Sequence, residues 1–251
     1  MDILELKSFL DDKVEQFNTP HFIQDDPISI PHLFTLKEDI EIIGFLVATI
    51  AWGKRQMIIK NSHQLVDIMG GQPYEFILNA SKNDLKDLKF VHRTFNSIDL
   101  NFFIRSLQNI YQSGSSLEKE FSKTKQPVSY KIANFRTSFL SIPHEKRSEK
   151  HISNPLKNSS AKRLNMFLRW MVRQDKKGVD FGVWKSIHPS ELYCPLDVHT
   201  GNIARQLGLI TRKANDWKAL EELMTHLRRL DPTDPVKYDF ALFGLGVSGE
   251  F

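Results

Sequence analysis

Ala161-Lys162-Arg163-Leu164-Asn165-Met166-Phe167-Leu168-Arg169-Trp170-Met171-Val172-Arg173 reads as one amphipathic helix. Leu164, Phe167, Leu168 and Met171 recur at three- and four-residue steps and fall on one face, while Lys162, Arg169 and Arg173 share another, with Asn165 and Met166 near its edge. One side is patterned to pack and the other to meet water or an anion. The same periodicity continues along the chain in both directions, and few stretches show the two-residue alternation of a half-buried strand. The fold class expected is all-α.

Working outward, Leu4, Leu6, Phe9, Leu10, Val14 and Phe17 mark a first amphipathic helix that ends before Asn18-Thr19-Pro20. A polar connector punctuated by prolines follows through Pro31. Glu38 or Asp39 then opens a helix that is apolar all round and ends near Trp52-Gly53, the pattern of a core helix. Further helices are expected over 57–69, 73–79 and 99–111. Residues 122–160, rich in Lys, Ser and Asn and carrying Pro127, Pro143 and Pro155, read mostly as loop, with one apolar segment at 132–142. After the helix at 161–173 come helices over 198–207, 216–230 and 235–245, the last introduced by Asp234 as a cap before Pro235.

The 251 residues contain 41% apolar and 25% charged residues, which are globular proportions and exclude a mostly disordered chain. The single cysteine, Cys194, excludes an intramolecular disulfide framework and a cysteine-bound iron–sulfur cluster, and points to a reducing compartment. The longest apolar stretch, 42–52, is about half of what a bilayer crossing needs. The N-terminal residues lack the pattern of a secretory signal, so a cytoplasmic location without membrane attachment is expected.

Charge is segregated along the chain. Residues 119–176 carry 14 Lys plus Arg against four acids, a net +10, which leaves −6 for the remainder of a chain whose total is +4. A concentration of cations of this kind favours phosphate contacts and makes nucleic acid the leading partner class.

Asp197, thirty-five residues after Lys162, stands within Pro195-Leu196-Asp197-Val198-His199-Thr200-Gly201-Asn202-Ile203-Ala204-Arg205. Asp197 closes an apolar turn and is placed to cap the following helix by accepting its free N–H groups. Taken alone it reads first as a plain helix cap.

The stretches Ser159 to Met171 and Pro195 to Thr200 resemble an uncharacterised bacterial family known only as a domain of unknown function, over most of the chain. More distantly, the order of features resembles the helix-hairpin-helix DNA glycosylases. In that superfamily a hairpin Gly-x-Gly-x-Lys opens a helix, and a later Asp completes the site. Asn158-Ser159-Ser160-Ala161-Lys162 sets Lys162 at the matching lysine and Asp197 at the matching aspartate, with Ile203-Ala204-Arg205 continuing as that helix does. Both hairpin glycines are replaced, by Asn158 and Ser160, although Asn is the residue that best tolerates a left-handed backbone after Gly. The separation of Lys162 and Asp197 is long for the superfamily and requires an insertion around 175–188; a divergent archaeal branch acting on oxidised guanine has a comparable one.

This resemblance implies two helical lobes with a central cleft, one of residues 36–170 ending in a degenerate hairpin and the other of 1–35 plus 171–251. It implies a monomeric base-excision glycosylase acting on damaged duplex DNA in DNA repair, with Asp197 stabilising the sugar cation and either strand cleavage through a Schiff base on Lys162 or, without an active lysine, simple base hydrolysis by a water that Asp197 supports. Arg163, Arg169, Arg173, Arg205, Asn158, Ser160 and Lys54 are the expected nucleic-acid contacts. No cofactor is needed and no metal is expected, because the nine histidines form no ligand cluster. The competing class is a non-catalytic helical adaptor for DNA or RNA on the same scaffold, which the missing glycines favour. Trp52, beside Gly53-Lys54-Arg55-Gln56, is the tryptophan chosen to stack on a base. Cys194, next to Tyr193 and Leu196, is expected to be buried and inert.

Overall fold

Short polar residues, Asp2, Ser81, Asn96, Ser116, Asp197 and Asp216, each cap the start of a helix. The structure, a computed structural model, describes residues 2–250. Asp2 caps α1 (Ile3–Phe17), which is followed by α2 (Pro20–Gln24), α3 (Lys37–Ile50), α4 (Arg55–Ile68) and α5 (Pro73–Asn79). Ser81 caps α6 (Lys82–Lys86). A short hairpin pairs β1 (Val91–His92) with β2 (Phe95–Asn96), and Asn96 at once caps α7 (Ser97–Gln112). Then come α8 (Leu117–Ser122), capped by Ser116, and α9 (Val128–Phe139). The last four are α10 (Lys162–Val172), α11 (Val198–Gln206) capped by Asp197, α12 (Trp217–Leu230) capped by Asp216, and α13 (Tyr238–Ser248). The all-α expectation holds, and no helix among the described residues is long and apolar enough to cross a membrane.

The chain divides into two units. One comprises Asp25–Gln126 with Tyr130–Ser153; the other combines the chain up to Gln24, Pro127–Ser129 and the chain from Asn154 onward. The sequence reading drew its divisions after residues 35 and 170.

In the first unit α3 is the core helix. Ile42, Ile43, Phe45, Val47 and Ile50 are fully buried, and α4 and α5 pack against it. Phe45 meets Phe103 of α7 at 5.8 Å and Phe139 of α9 at 5.3 Å between ring centres, and Phe103 meets Phe139 at 5.0 Å. Burial of these rings contributes roughly 2–3 kcal/mol each. It also accounts for the one longer helix within 122–160, which sequence reading gave only as an apolar segment amid loop. Val128, Ile132, Phe135 and Phe139 are buried at steps of four, three and four, so α9 forms to bury them. The polar Glu41 inside α3 is fully buried and satisfied by the Tyr111 hydroxyl, which donates to it at 2.7 Å.

In the second unit α13 packs against both α1 and α11. The fit between α1 and α13 depends on Gly244, where an added Cβ would lie 2.3 Å from the Phe17 ring. Leu220, Leu223, Met224 and Leu227 of α12 and Phe167, Trp170 and Met171 of α10 are fully buried.

Candidate active site

The site is assembled from a turn, two helix starts and a long connector of the second unit. Asn154 caps a 3-10 turn, Pro155–Lys157, by accepting from the Leu156 N–H at 3.0 Å. Asn158 then takes the left-handed conformation at φ 64°. Its carbonyl accepts from the Trp217 N–H at 3.2 Å, its Oδ1 from the Lys218 N–H at 3.3 Å, and its Nδ2 donates to Asp216 Oδ2 at 2.9 Å. The turn is thereby docked on the start of α12. Ser160 uses its carbonyl to accept from Asn165 Nδ2 at 2.9 Å. The second left-handed residue is Ala161, at φ 47°, and not Ser160, which occupies the second hairpin-glycine position of the resemblance.

That reversal delivers Lys162 as the first residue of α10. Asp197 arrives from the buried Pro195-Leu196 and accepts the Thr200 N–H on Oδ1 at 2.9 Å, while Asn215 Nδ2 donates to its carbonyl at 2.9 Å. Its second oxygen, Oδ2, is left 3.3 Å from Lys162 Nζ. The two residues, far apart in sequence, are thus brought together, with the lysine side chain 33% exposed and the aspartate 13%. An amine beside a carboxylate, both accessible, can exchange a proton and present a nucleophile to an electrophilic carbon.

The expected phosphate contacts fare differently. Arg169 and Arg173 are buried, at 4% and 2% exposure, so the expectation that they meet DNA phosphates is corrected. Arg169 holds Asp239 and, at 3.2 Å, Asp180; Arg173 holds Asp180 at 3.2 Å, Asp234 at 2.9 Å and Asp175 at 2.7 Å. The second face of α10 is cationic because it is lined by these aspartates, which return from the connector after α10 and from the start of α13. Asp234 accordingly makes no side-chain cap for the turn at Pro235. Arg205 is committed to its own loop, donating to the Arg212 and Lys213 carbonyls at 2.9 Å each and to Asn215 at 2.6 Å. Arg163 is half-buried, and desolvation lowers it to about 10, still a cation at neutral pH. Lys54, in the first unit, is exposed at the start of α4. There the half-buried Trp52 ring lies 5.0 Å from His92 and 5.9 Å from His151. Cys194 is fully buried and its thiol is pushed well up by desolvation.

Asp239 is the residue the sequence reading missed. It is 4% exposed in the first turn of α13, and burial pushes its carboxyl up to about 7 against the pull of Arg169, with the negative charges of Asp197 and Asp180 adding to the rise. The available signal was an acid between Tyr238 and Phe240 in an otherwise apolar helical run.

Residues 26–248 match a family described as "Protein of unknown function (DUF2400)". The chain belongs to this family. No curated protein and no solved structure matches it. DUF2400 carries no mechanism of its own, so the residues at the site have to supply one.

Proposed function

We propose that this DUF2400 protein is a DNA glycosylase with lyase activity, with Lys162 as nucleophile and Asp197 as its acid–base partner. The observation that carries the reading is the 3.3 Å approach of Lys162 Nζ to Asp197 Oδ2 at the openings of two helices. With its proton passed to Asp197, the Lys162 amine attacks C1′ of a flipped nucleotide. The N–C1′ bond forms, the glycosidic bond breaks, and the base leaves with the bonding electrons and takes a proton. The C1′–O4′ bond then breaks as the sugar ring opens, with O4′ taking the proton held by Asp197; the Schiff base so formed acidifies C2′, and β-elimination expels the 3′ phosphate. The reading carries with it a two-lobed arrangement with DNA in a central cleft, a monomer working in DNA repair in the cytoplasm, and no cofactor.

Borohydride reduction tests it, because reduction freezes the Schiff base as a covalent protein–DNA adduct. On duplexes carrying an abasic site or an oxidised purine the wild type is trapped, and Lys162→Gln abolishes trapping while binding persists. Asp197→Asn keeps the shape and lowers the trapping rate by about 10²-fold or more. Absence of trapping across a lesion panel would favour the second reading, a non-catalytic DNA- or RNA-binding adaptor. That reading draws on the commitment of Arg169, Arg173 and Arg205 to intramolecular partners, which reduces the cations left for phosphates.

A further inference from the structure

Trp52 stands just after α3, and of the four tryptophans it alone meets solvent, since Trp170, Trp184 and Trp217 are buried. Its ring is held still from behind. It lies nearly parallel to His151, 5.9 Å between ring centres, and at right angles to His92 at 5.0 Å, and both imidazoles are buried. His92 is fixed in turn, its Nε2 donating to the Trp52 carbonyl at 3.0 Å and its Nδ1 accepting from Asn61 Nδ2 at 2.8 Å. His151 is backed by Asp99 at 3.5 Å. An indole braced in this way, with part of its surface in water, is a flat and preorganised contact surface. Cations surround it. Lys54 and Arg55 follow in the chain and are exposed. The turn of the β1–β2 hairpin, Arg93-Thr94, brings another: Arg93 is left-handed at φ 56°, and its side chain runs back across Gly53, where an added Cβ would lie 3.0 Å from Nη1 and 3.1 Å from Cδ. Glycine alone admits so close an approach. Arg147 ties the turn down, donating from Nη2 to the Thr94 carbonyl at 2.9 Å while standing 3.3 Å from Asp99. Unlike Arg169, Arg173 and Arg205, the Arg93 guanidinium and the Lys54 ammonium have no hydrogen-bond or ion-pair partner among the described residues.

We propose that Trp52 is a stacking platform for an unpaired base of a DNA strand, with Arg93 and Lys54 holding the phosphates that flank it. The indole takes any base, because every base has a π-face, and the cations beside it follow the backbone rather than the sequence. The uncommitted charges around the ring are positive and exposed, which matches a phosphate chain with a base between its charges. Burying the indole under a base also removes its remaining apolar surface from water. The inference rests on the nucleic-acid part of the reading above and not on the lysine chemistry. Every residue in the platform belongs to the first unit, whereas Lys162 and Asp197 belong to the second.

Tryptophan fluorescence tests this directly, because the other three indoles are buried and the quenchable emission belongs to Trp52. At low salt a thymidine oligonucleotide about twelve nucleotides long quenches the wild-type emission saturably and shields it from acrylamide. An abasic strand of the same length, which carries the phosphates without bases, binds more weakly and does not quench. Trp52→Leu weakens binding of the thymidine strand about tenfold and leaves binding of the abasic strand unchanged. Arg93→Gln retains the quenching at saturation and lowers the slope of log K against log salt by about 0.7, the share of one phosphate of a single strand. Should Trp52→Leu fail to fold, the thymidine and abasic strands on the wild type decide the matter by themselves. Equal quenching by the two strands, a thymidine strand that binds without quenching, or no binding at all overturns the proposal, and quenching by a uridine RNA but not by the thymidine strand overturns the assignment to DNA. Borohydride trapping that succeeds while quenching fails sinks the platform alone. Quenching with no trapping on any lesion sinks the lysine chemistry alone, so the two failures are told apart.

Discussion

At the scale of single residues, two positions show how local chemistry builds the turn ahead of Lys162. Asn158 is left-handed and ties the turn to α12 through its carbonyl and both side-chain atoms. Asn158→Ala loses those side-chain bonds and forces a Cβ without compensation into the left-handed region, a loss of about 1–2 kcal/mol; Asn158→Gly loses less. Urea melts of the two variants check that order. Asp216 caps α12 and is bound by Arg212 and Asn158, and these partners hold its carboxyl far below the usual range. A depressed folded-state value means the stability it brings is fully present above pH about 4 and fades as the pH falls further. Asp216→Ala therefore costs about 1 kcal/mol at pH 7, and the gap from wild type narrows on acidification in melts from pH 7 to pH 2. The tolerance of Asn158 for a left-handed backbone and the cap at Asp197 were both legible, because each depends on the residue and its immediate neighbours. The left-handed Ala161 was not, since nothing in an alanine announces it.

At the scale of elements, α10 is held by buried charge as much as by apolar packing. Arg169 and Arg173 with Asp175, Asp180, Asp234 and Asp239 form an alternating chain of ion pairs, most of it out of water. Removing one member strands its partners. Arg169→Met leaves Asp239 buried without its cation, and Asp180 with Arg173 alone, and destabilises by about 3–5 kcal/mol, which a thermal melt at pH 7 detects; a change under 1 kcal/mol would show the chain to be dispensable. Periodicity showed that these arginines share a face but could not say what the face meets, because Asp234 and Asp239 lie more than sixty residues away in the chain. α9 is the opposite case: Val128, Ile132, Phe135 and Phe139 carry a helical period, and the abundance of Lys, Ser and Pro around them obscured it. Packing of α1 on α13 gives a further check. Gly244→Ala drives a methyl into the Phe17 ring and costs about 1–3 kcal/mol, read as a lowered urea midpoint.

At the scale of the whole molecule, the all-α class was legible because most of the longer helices announce themselves by a three- and four-residue step, whereas α2, α6 and α8, of five or six residues, and the hairpin of β1 and β2, with two residues per strand, are too short to show a period. The net positive stretch 119–176 was legible as composition, but three of its fourteen cations, Lys131, Arg169 and Arg173, are spent inside the protein. DNA affinity, if it follows counterion release, is then carried by the cations that remain exposed. Lys54→Gln reduces the slope of log K against log salt by about 0.9 for a duplex, and an unchanged slope removes Lys54 from the interface. The central claim is that Lys162 is the group that joins the DNA. Peptide mapping by mass spectrometry of the borohydride-reduced adduct tests it most directly: the account predicts the nucleotide remnant on the peptide that contains Lys162, and a remnant on any other residue, or no adduct on any lesion, contradicts it.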